Sequence, residues 1–185
     1  VEECVGFEFS SLYSRTWANT ARQYGVTDLT IKHINQHSLY YINSRHFGIP
    51  GFETRDFRSI VTWFRDESGR AVLIASDTDY GLYKKDPPKS SHVRAHVYTV
   101  WIFEPLDPTG EVQQTAVTLT TKVNLGGAIP NFLMNKIGPH FLNQVSGLRK
   151  KFDKSKEIDA VNREQIFEKM EDLKIVGSET ISSKF

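Results

Sequence analysis

Val93-Arg94-Ala95-His96-Val97-Tyr98-Thr99-Val100-Trp101-Ile102-Phe103 decides the fold. Val93, Ala95, Val97, Thr99, Trp101 and Phe103 alternate with Arg94, His96, Tyr98, Val100 and Ile102. A period of two sends the two sets to opposite faces of one strand, and only the first set is apolar from its start. That set therefore faces the interior. Downstream, Asp107-Pro108-Thr109-Gly110 reads as a turn and Thr115–Val123 as a returning Thr-rich strand. Upstream, Phe57–Phe64 and Ala71–Ser76 flank Asp66-Glu67-Ser68-Gly69, a hairpin turn ending in Gly. Thr27–Ile34 and Leu39–Asn43 add two strands, with Phe47-Gly48-Ile49-Pro50-Gly51 as loop chemistry. The connections are short, so the sheet is expected to be antiparallel.

Outside the sheet the pattern changes period. Val5, Phe9, Leu12 and Tyr13 follow the spacing of an amphipathic helix, and a second short helix is expected over Trp17–Arg22. After Asn124-Leu125-Gly126-Gly127, the residues Ile137, Phe141, Val145, Leu148 and Phe152 stack on one helix face. Gly138-Pro139 inside that run predicts a kink or restart, because Pro removes a backbone donor. Arg149-Lys150-Lys151 places cations where the helix dipole favours them. Ile158, Val161, Ile166, Met170 and Leu173 predict a further amphipathic helix, and Gly177–Phe185 a frayed tail.

Composition narrows the function classes. The chain has 185 residues, enough for one domain with a real core. Lys+Arg (23) nearly cancels Asp+Glu (22), so the basic excess of a dedicated nucleic-acid binder is missing. No apolar run is long enough to span a bilayer. The start has neither the basic region nor the apolar run of a signal peptide, and it lacks an initiator Met. The single cysteine, Cys4, is compatible with a reducing compartment. Aromatic residues, at 12%, suit a broad core or a roomy pocket.

Catalytic vocabulary is thin. His33 and His37 lie four apart, but no His-Glu-x-x-His accompanies them, so no metal site is expected. Neither a Gly-x-Ser-x-Gly elbow nor a phosphate loop with Gly-Lys-Ser/Thr is present. Asp77-Thr78-Asp79 reads as turn chemistry rather than a catalytic pair or a calcium fragment. Lys84, Lys85 and Lys89 belong to an exposed loop, and a role at anionic headgroups is the less favoured reading.

Several motifs fall in one family's order. Gly51-Phe52-Glu53-Thr54-Arg55-Asp56-Phe57 resembles the Arg-Asp-Phe signature of START domains, the lipid-transfer domains related to steroidogenic acute regulatory protein. Ala75–Gly81 resembles the family's strand end, Val93-Arg94-Ala95 its Val-Arg-Ala, and Thr115–Thr121 its penultimate strand. Asn124–Asn135 is similar to the Gly-Gly-x-Ile-Pro-x-x-Leu-x-Asn entry to the family's final helix, which Gly138–Leu142 and Leu148-Arg149 continue. The likeness covers residues 50–152 well and 1–49 thinly, and ends beyond 152.

The resemblance implies an α+β helix-grip fold: a curved antiparallel sheet around a long C-terminal helix, enclosing a lipid tunnel. Residues 1–152 would form the domain, and 153–185 an additional helix and flexible tail. The family also has a helix and strands before the part matching residues 1–24, so the domain is expected to be N-terminally incomplete. The implied function is to bind one lipid and transfer it between membranes, without catalysis or a cofactor. The implied setting is cytoplasmic, with transient membrane contact and no nucleic acid. Burying about 16 methylenes at ~0.8 kcal/mol each returns roughly 13 kcal/mol, which offsets much of the cost of leaving the bilayer. A lipid-sensing module of a larger protein is the alternative; an enzyme on the same fold, such as a polyketide cyclase, is less favoured.

The lining expected from this likeness combines several elements. It takes Val61, Trp63 and Leu73 from the hairpin and Val97, Thr99 and Trp101 from the long strand. Leu119, Thr121 and Val123 come from its neighbour, and Phe132, Ile137, Phe141, Val145 and Leu148 from the final helix. Thr99 and Thr121 are its polar candidates. Some sterol-binding relatives carry an arginine six residues after the signature arginine; here that position is Val61, so sterol, phospholipid and fatty acyl ligands all stay open. Arg55, Asp56 and Arg94 are expected to be structural and to pair with one another at the sheet's rim.

Overall fold

In a computed structural model the long strand pairs as its alternation requires. The structure describes residues 1–14, 19, 21–23, 25–79, 91–127, 129 and 131–181; for 131, 133, 136, 137, 140–142 and 173–181 it describes the backbone alone. Expectations for the Lys84–Lys89 loop, for Trp17, Ala18 and Thr20 and for Tyr80-Gly81 lie outside the described residues.

Six strands, β1 (Val26–His33), β2 (Ser38–Arg45), β3 (Arg55–Arg65), β4 (Ala71–Asp77), β5 (Val93–Thr109) and β6 (Val112–Asn124), form one open sheet in chain order. Neighbours along it are antiparallel. Where β4 stops at Asp77, β3 and β5 close the gap and pair directly in parallel, Arg55 beside Val93 and Phe57 beside Ala95. Helix α1 (Glu2–Ser11) precedes the sheet; α2 (Asn131–Lys151) and α3 (Ser155–Ile181) follow it. The architecture is a helix-grip arrangement of one antiparallel sheet with a long C-terminal helix.

Three boundaries differ from expectation. First, β5 continues through Pro105 and Pro108 to Thr109, and the turn falls at Gly110-Glu111 instead. Among the described residues only β6 pairs with β5 beyond Phe103, so a proline lacking its N–H costs no hydrogen bond on the open edge. Second, α2 does not restart at Gly138-Pro139 but is one helix from Asn131 to Lys151. Third, α3 extends to Ile181, where a frayed tail from Gly177 was expected.

The register defines an inner face. Leu39, Val61, Leu73, Trp101 and Phe103 share one buried cluster with Cys4, Val5 and Phe9 of α1 and Leu148 of α2. A second cluster, nearer the start of α2, joins Phe52, Phe57, Ala95 and Leu125, with Val97, Val123, Ile129 and Met134 packed against it. Gly126 makes the turn out of β6 possible: its φ is +69°, and a Cβ there would meet the Arg94 carbonyl oxygen at 2.5 Å. The Gly126 N–H donates to Asn124 Oδ1 at 3.0 Å, holding Leu125 in its buried seat.

Candidate functional site

Pairing places the expected lining residues of the sheet on one face. Trp63 lies opposite Leu73, Leu73 opposite Trp101, and Trp101 opposite Leu119. Thr99 faces Thr121, and Val97 faces Val123. Paired residues of an antiparallel ladder point the same way, so these side chains form a continuous surface. At one end the surface is sealed: Val61 is 2% exposed, Trp101 3% and Leu148 4%. Elsewhere Trp63, Val97, Thr99, Leu119, Thr121 and Val123 are only half-buried, as is Val145 on α2. Phe132, expected in the lining, stands 69% exposed at the start of α2. The side chains of Ile137 and Phe141 lie outside the described ones.

The two candidate polar contacts bond one another, Thr99 Oγ1 to Thr121 Oγ1 at 3.0 Å. Two hydroxyls sharing one bond leave one donor and spare acceptor capacity for a third group. Tyr41, Asn43 and Ser59 share the same face by register, through the pairs Tyr41–Ser59 and Asn43–Phe57. Sequence reasoning missed them, although the alternation Leu39, Tyr41, Asn43, Arg45 in β2 carries the signal.

Glu8 was missed too. At helical spacing it falls between Val5 and Leu12 on the core-facing stripe of α1, and burial pushes its carboxyl up to about 7. Cys4, one turn earlier, is buried and free, and burial raises its thiol. A raised thiol is a poor nucleophile at neutral pH.

The signature residues are structural, and the expected pairing holds in part: Arg94 Nη1 donates to the Asp56 carbonyl at 3.1 Å, while their other contacts go elsewhere. Arg55 Nε donates to the Leu125 carbonyl at 2.8 Å, its Nη1 donates to the Glu53 carbonyl, and its guanidinium lies 3.7 Å from the Phe52 ring centre. The arginine thus ties β3 to the entry of α2. Asp56 takes Arg58, Nε to Oδ2 at 2.7 Å. Arg94 Nη2 meets Asp77 Oδ1 at 2.7 Å and donates to the Thr78 carbonyl, while His96 Nδ1 lies 2.7 Å from Asp77 Oδ2. Asp77 occupies the point where β4 ends, and these contacts close the notch between β3 and β5. Among the described residues there is no group of three or more His, Cys, Asp or Glu able to hold a metal ion. His37 instead lies with its ring 4.4 Å from that of Trp63.

The same arrangement of sheet and helix occurs in solved structures. Human STARD10 superposes with a TM-score of 0.52 at 15% identity, over 77% of this chain and 55% of its own. Human StAR-related lipid transfer protein 5 gives 0.52 at 22%, over 72% and 62%. The STAR-related lipid transfer protein of Xanthomonas axonopodis, a fragment, gives 0.54 at 18%, over 74% of each chain.

The fold is START-like.

The chain spans 55% and 62% of the two human proteins' lengths. No family model matches the sequence. No curated protein matches it either. Among the described residues of this START-like chain, no helix is long and apolar enough to cross a membrane.

Proposed function

We propose that the chain binds a single lipid between the inner face of the sheet and α2 and carries it between membranes without catalysis. The observation that carries this reading is an apolar face that the helices cover incompletely. Trp63, Val97, Leu119 and Val123 stay half-buried between the two clusters, around the Thr99–Thr121 pair. Hydrocarbon laid there would remove that surface from water at about 25 cal/mol per Å². Two of the similar structures are lipid transfer proteins by name, which supports the same reading. The chain would work in the cytoplasm, touching membranes transiently, and the buried free thiol of Cys4 suits a reducing compartment. In this reading residues 1–152 are the lipid-binding unit, and 153–185 lie outside it.

The test is transfer of a fluorescent phospholipid between vesicles, comparing Thr99→Arg with Tyr98→Arg. Thr99 lies on the inner face, whereas Tyr98 points the other way and is 51% exposed. Thr99→Arg should abolish uptake and Tyr98→Arg should retain it. Retained uptake in Thr99→Arg would refute the assignment of this face. A second reading, a lipid-sensing module within a larger protein, is favoured by the exposed Ile166, Phe167 and Met170 of α3, an apolar surface that suits a neighbouring domain. A chain that takes up lipid but never delivers it would favour that second reading.

A further inference from the structure

Polarity along the inward series of β2 is graded, and that series ends on an arginine with no counter-charge among the described residues. On β2 the inward series runs Leu39, Tyr41, Asn43, Arg45; on β3 it runs Val61, Ser59, Phe57, Arg55 in matching register. Leu39 and Val61 belong to the sealed apolar cluster beneath α1. Arg45 and Arg55 are register partners at the opposite end, where Phe52 and Leu125 gather. Six residues of strand at about 3.3 Å each separate Leu39 from Arg45 by roughly 20 Å. An extended acyl chain spans one leaflet, about half of a ~30 Å hydrocarbon core, and fits that length.

The two arginines differ in what they already hold. Arg55 is engaged by the Leu125 and Glu53 carbonyls and by the Phe52 ring. Arg45 has its Nε buried and without a hydrogen-bond partner, and its ring contact is with Phe47 at 6.0 Å. No carboxylate pairs with it among the described residues. Burial pushes its guanidinium below its ordinary value, and only the Tyr41 phenol opposes that. A desolvated cation with an unmet donor is costly to keep in a fold unless an anion meets it there. A planar guanidinium presents paired donors that match a carboxylate or phosphate.

We propose that Arg45 receives the oxyanion of an acidic amphiphile, carboxylate or phosphate, whose tail lies along the inner face toward Leu39 and Val61. The proposal rests on the lipid-binding reading and adds orientation and charge class: headgroup at the Arg45 end, tail directed along the inner face toward the α1 end. Tyr41 and Asn43 line the path between.

The experiment measures quenching of intrinsic tryptophan fluorescence, and native mass, with oleate, methyl oleate and inorganic phosphate as probes. Wild type is compared with Arg45→Gln and Arg45→Lys, each checked for cooperative thermal unfolding. Oleate affinity should fall by about tenfold or more in Arg45→Gln and less in Arg45→Lys, while methyl oleate binds all three alike. If Arg45→Gln fails to fold, Arg45→Lys carries the comparison: it should weaken oleate severalfold and leave methyl oleate unchanged. Equal loss of acid and ester, or no loss of either, would overturn the proposal while leaving lipid binding intact. No uptake of either amphiphile by folded wild type would overturn the lipid-binding reading itself. Phosphate that raises the wild-type Tm but not that of Arg45→Gln, with no amphiphile bound, would assign Arg45 to a free anion and overturn the orientation proposed.

Discussion

Arg55→Met removes the contacts that tie the signature strand to the entry of the long helix. The buried carbonyl of Leu125 and the part-buried carbonyl of Glu53 each lose a charged donor, and the Phe52 ring loses the guanidinium 3.7 Å from its centre. Hydrogen bonds from charged groups are worth about 1.5–3 kcal/mol each, and the ring contact about 0.5–2 kcal/mol. Against this, the native state desolvates the guanidinium, and burial lowers its pKa. Methionine fills most of the space without that penalty. The expected net loss is roughly 3 kcal/mol. With a urea m-value of about 2 kcal/mol/M, the unfolding midpoint should drop by about 1.5 M at unchanged slope. Arg55→Lys keeps the charge but cannot span both carbonyls from one planar group, so most of the loss should persist. Equilibrium urea unfolding followed by far-UV circular dichroism reads both variants. A loss below about 1 kcal/mol in Arg55→Met, or a lysine variant matching wild type, would refute the argument that Arg55 clamps the helix entry.

Glu8 makes stability depend on pH. Its folded-state pKa lies above the unfolded 4.5, at about 7, so the native state holds the proton more tightly. Stability is therefore full below 4.5 and falls as pH rises through 7, by roughly 3 kcal/mol at about 1.4 kcal/mol per decade. Glu8→Gln should flatten that slope in urea titrations at pH 5 and pH 8; an unchanged slope would show that Glu8 is not the source. Gly126→Ala should destabilise more than Gly127→Ala in the same assay. Both have positive φ, but only at Gly126 does a Cβ strike backbone, the Arg94 oxygen at 2.5 Å. Equal costs would contradict the tight seat of that turn. Thr99→Val and Thr121→Val should each cost about 1 kcal/mol, and the double variant less than their sum, because the 3.0 Å bond is lost only once. Additive losses would mean the hydroxyls act apart.

Period-two alternation made the sheet legible, because a strand has only two faces and β5 sorts its apolar residues onto one. The same rule selected Val97, Thr99 and Trp101 together with Leu119, Thr121 and Val123, and the register sets these side by side. It failed where a partner strand is missing: Asp107-Pro108-Thr109-Gly110 reads as a turn, yet β5 continues through Pro108 to Thr109. Helical phase relative to Ile137 and Phe141 likewise did not place Phe132, which is 69% exposed while Met134 in the same turn packs against the second cluster. Arg45 and Glu8 stayed hidden because a charged side chain reads as solvent-facing until its neighbours are known. Their positions, one in alternation with Leu39 and one at helical spacing from Val5 and Leu12, were visible throughout. Arg55, Asp56 and Arg94 were legible as structural, and so was the contact between Arg94 and Asp56, but their other partners were not. Leu125 and Asp77 are brought to them by chain segments far away in sequence.

The most direct test of the account is native mass spectrometry of the purified, folded chain after incubation with mixed vesicles, followed by solvent extraction of what it holds. The account predicts one lipid per chain, lost in Thr99→Arg and kept in Tyr98→Arg. A folded chain that remains lipid-free, or that binds equally in both variants, would contradict it.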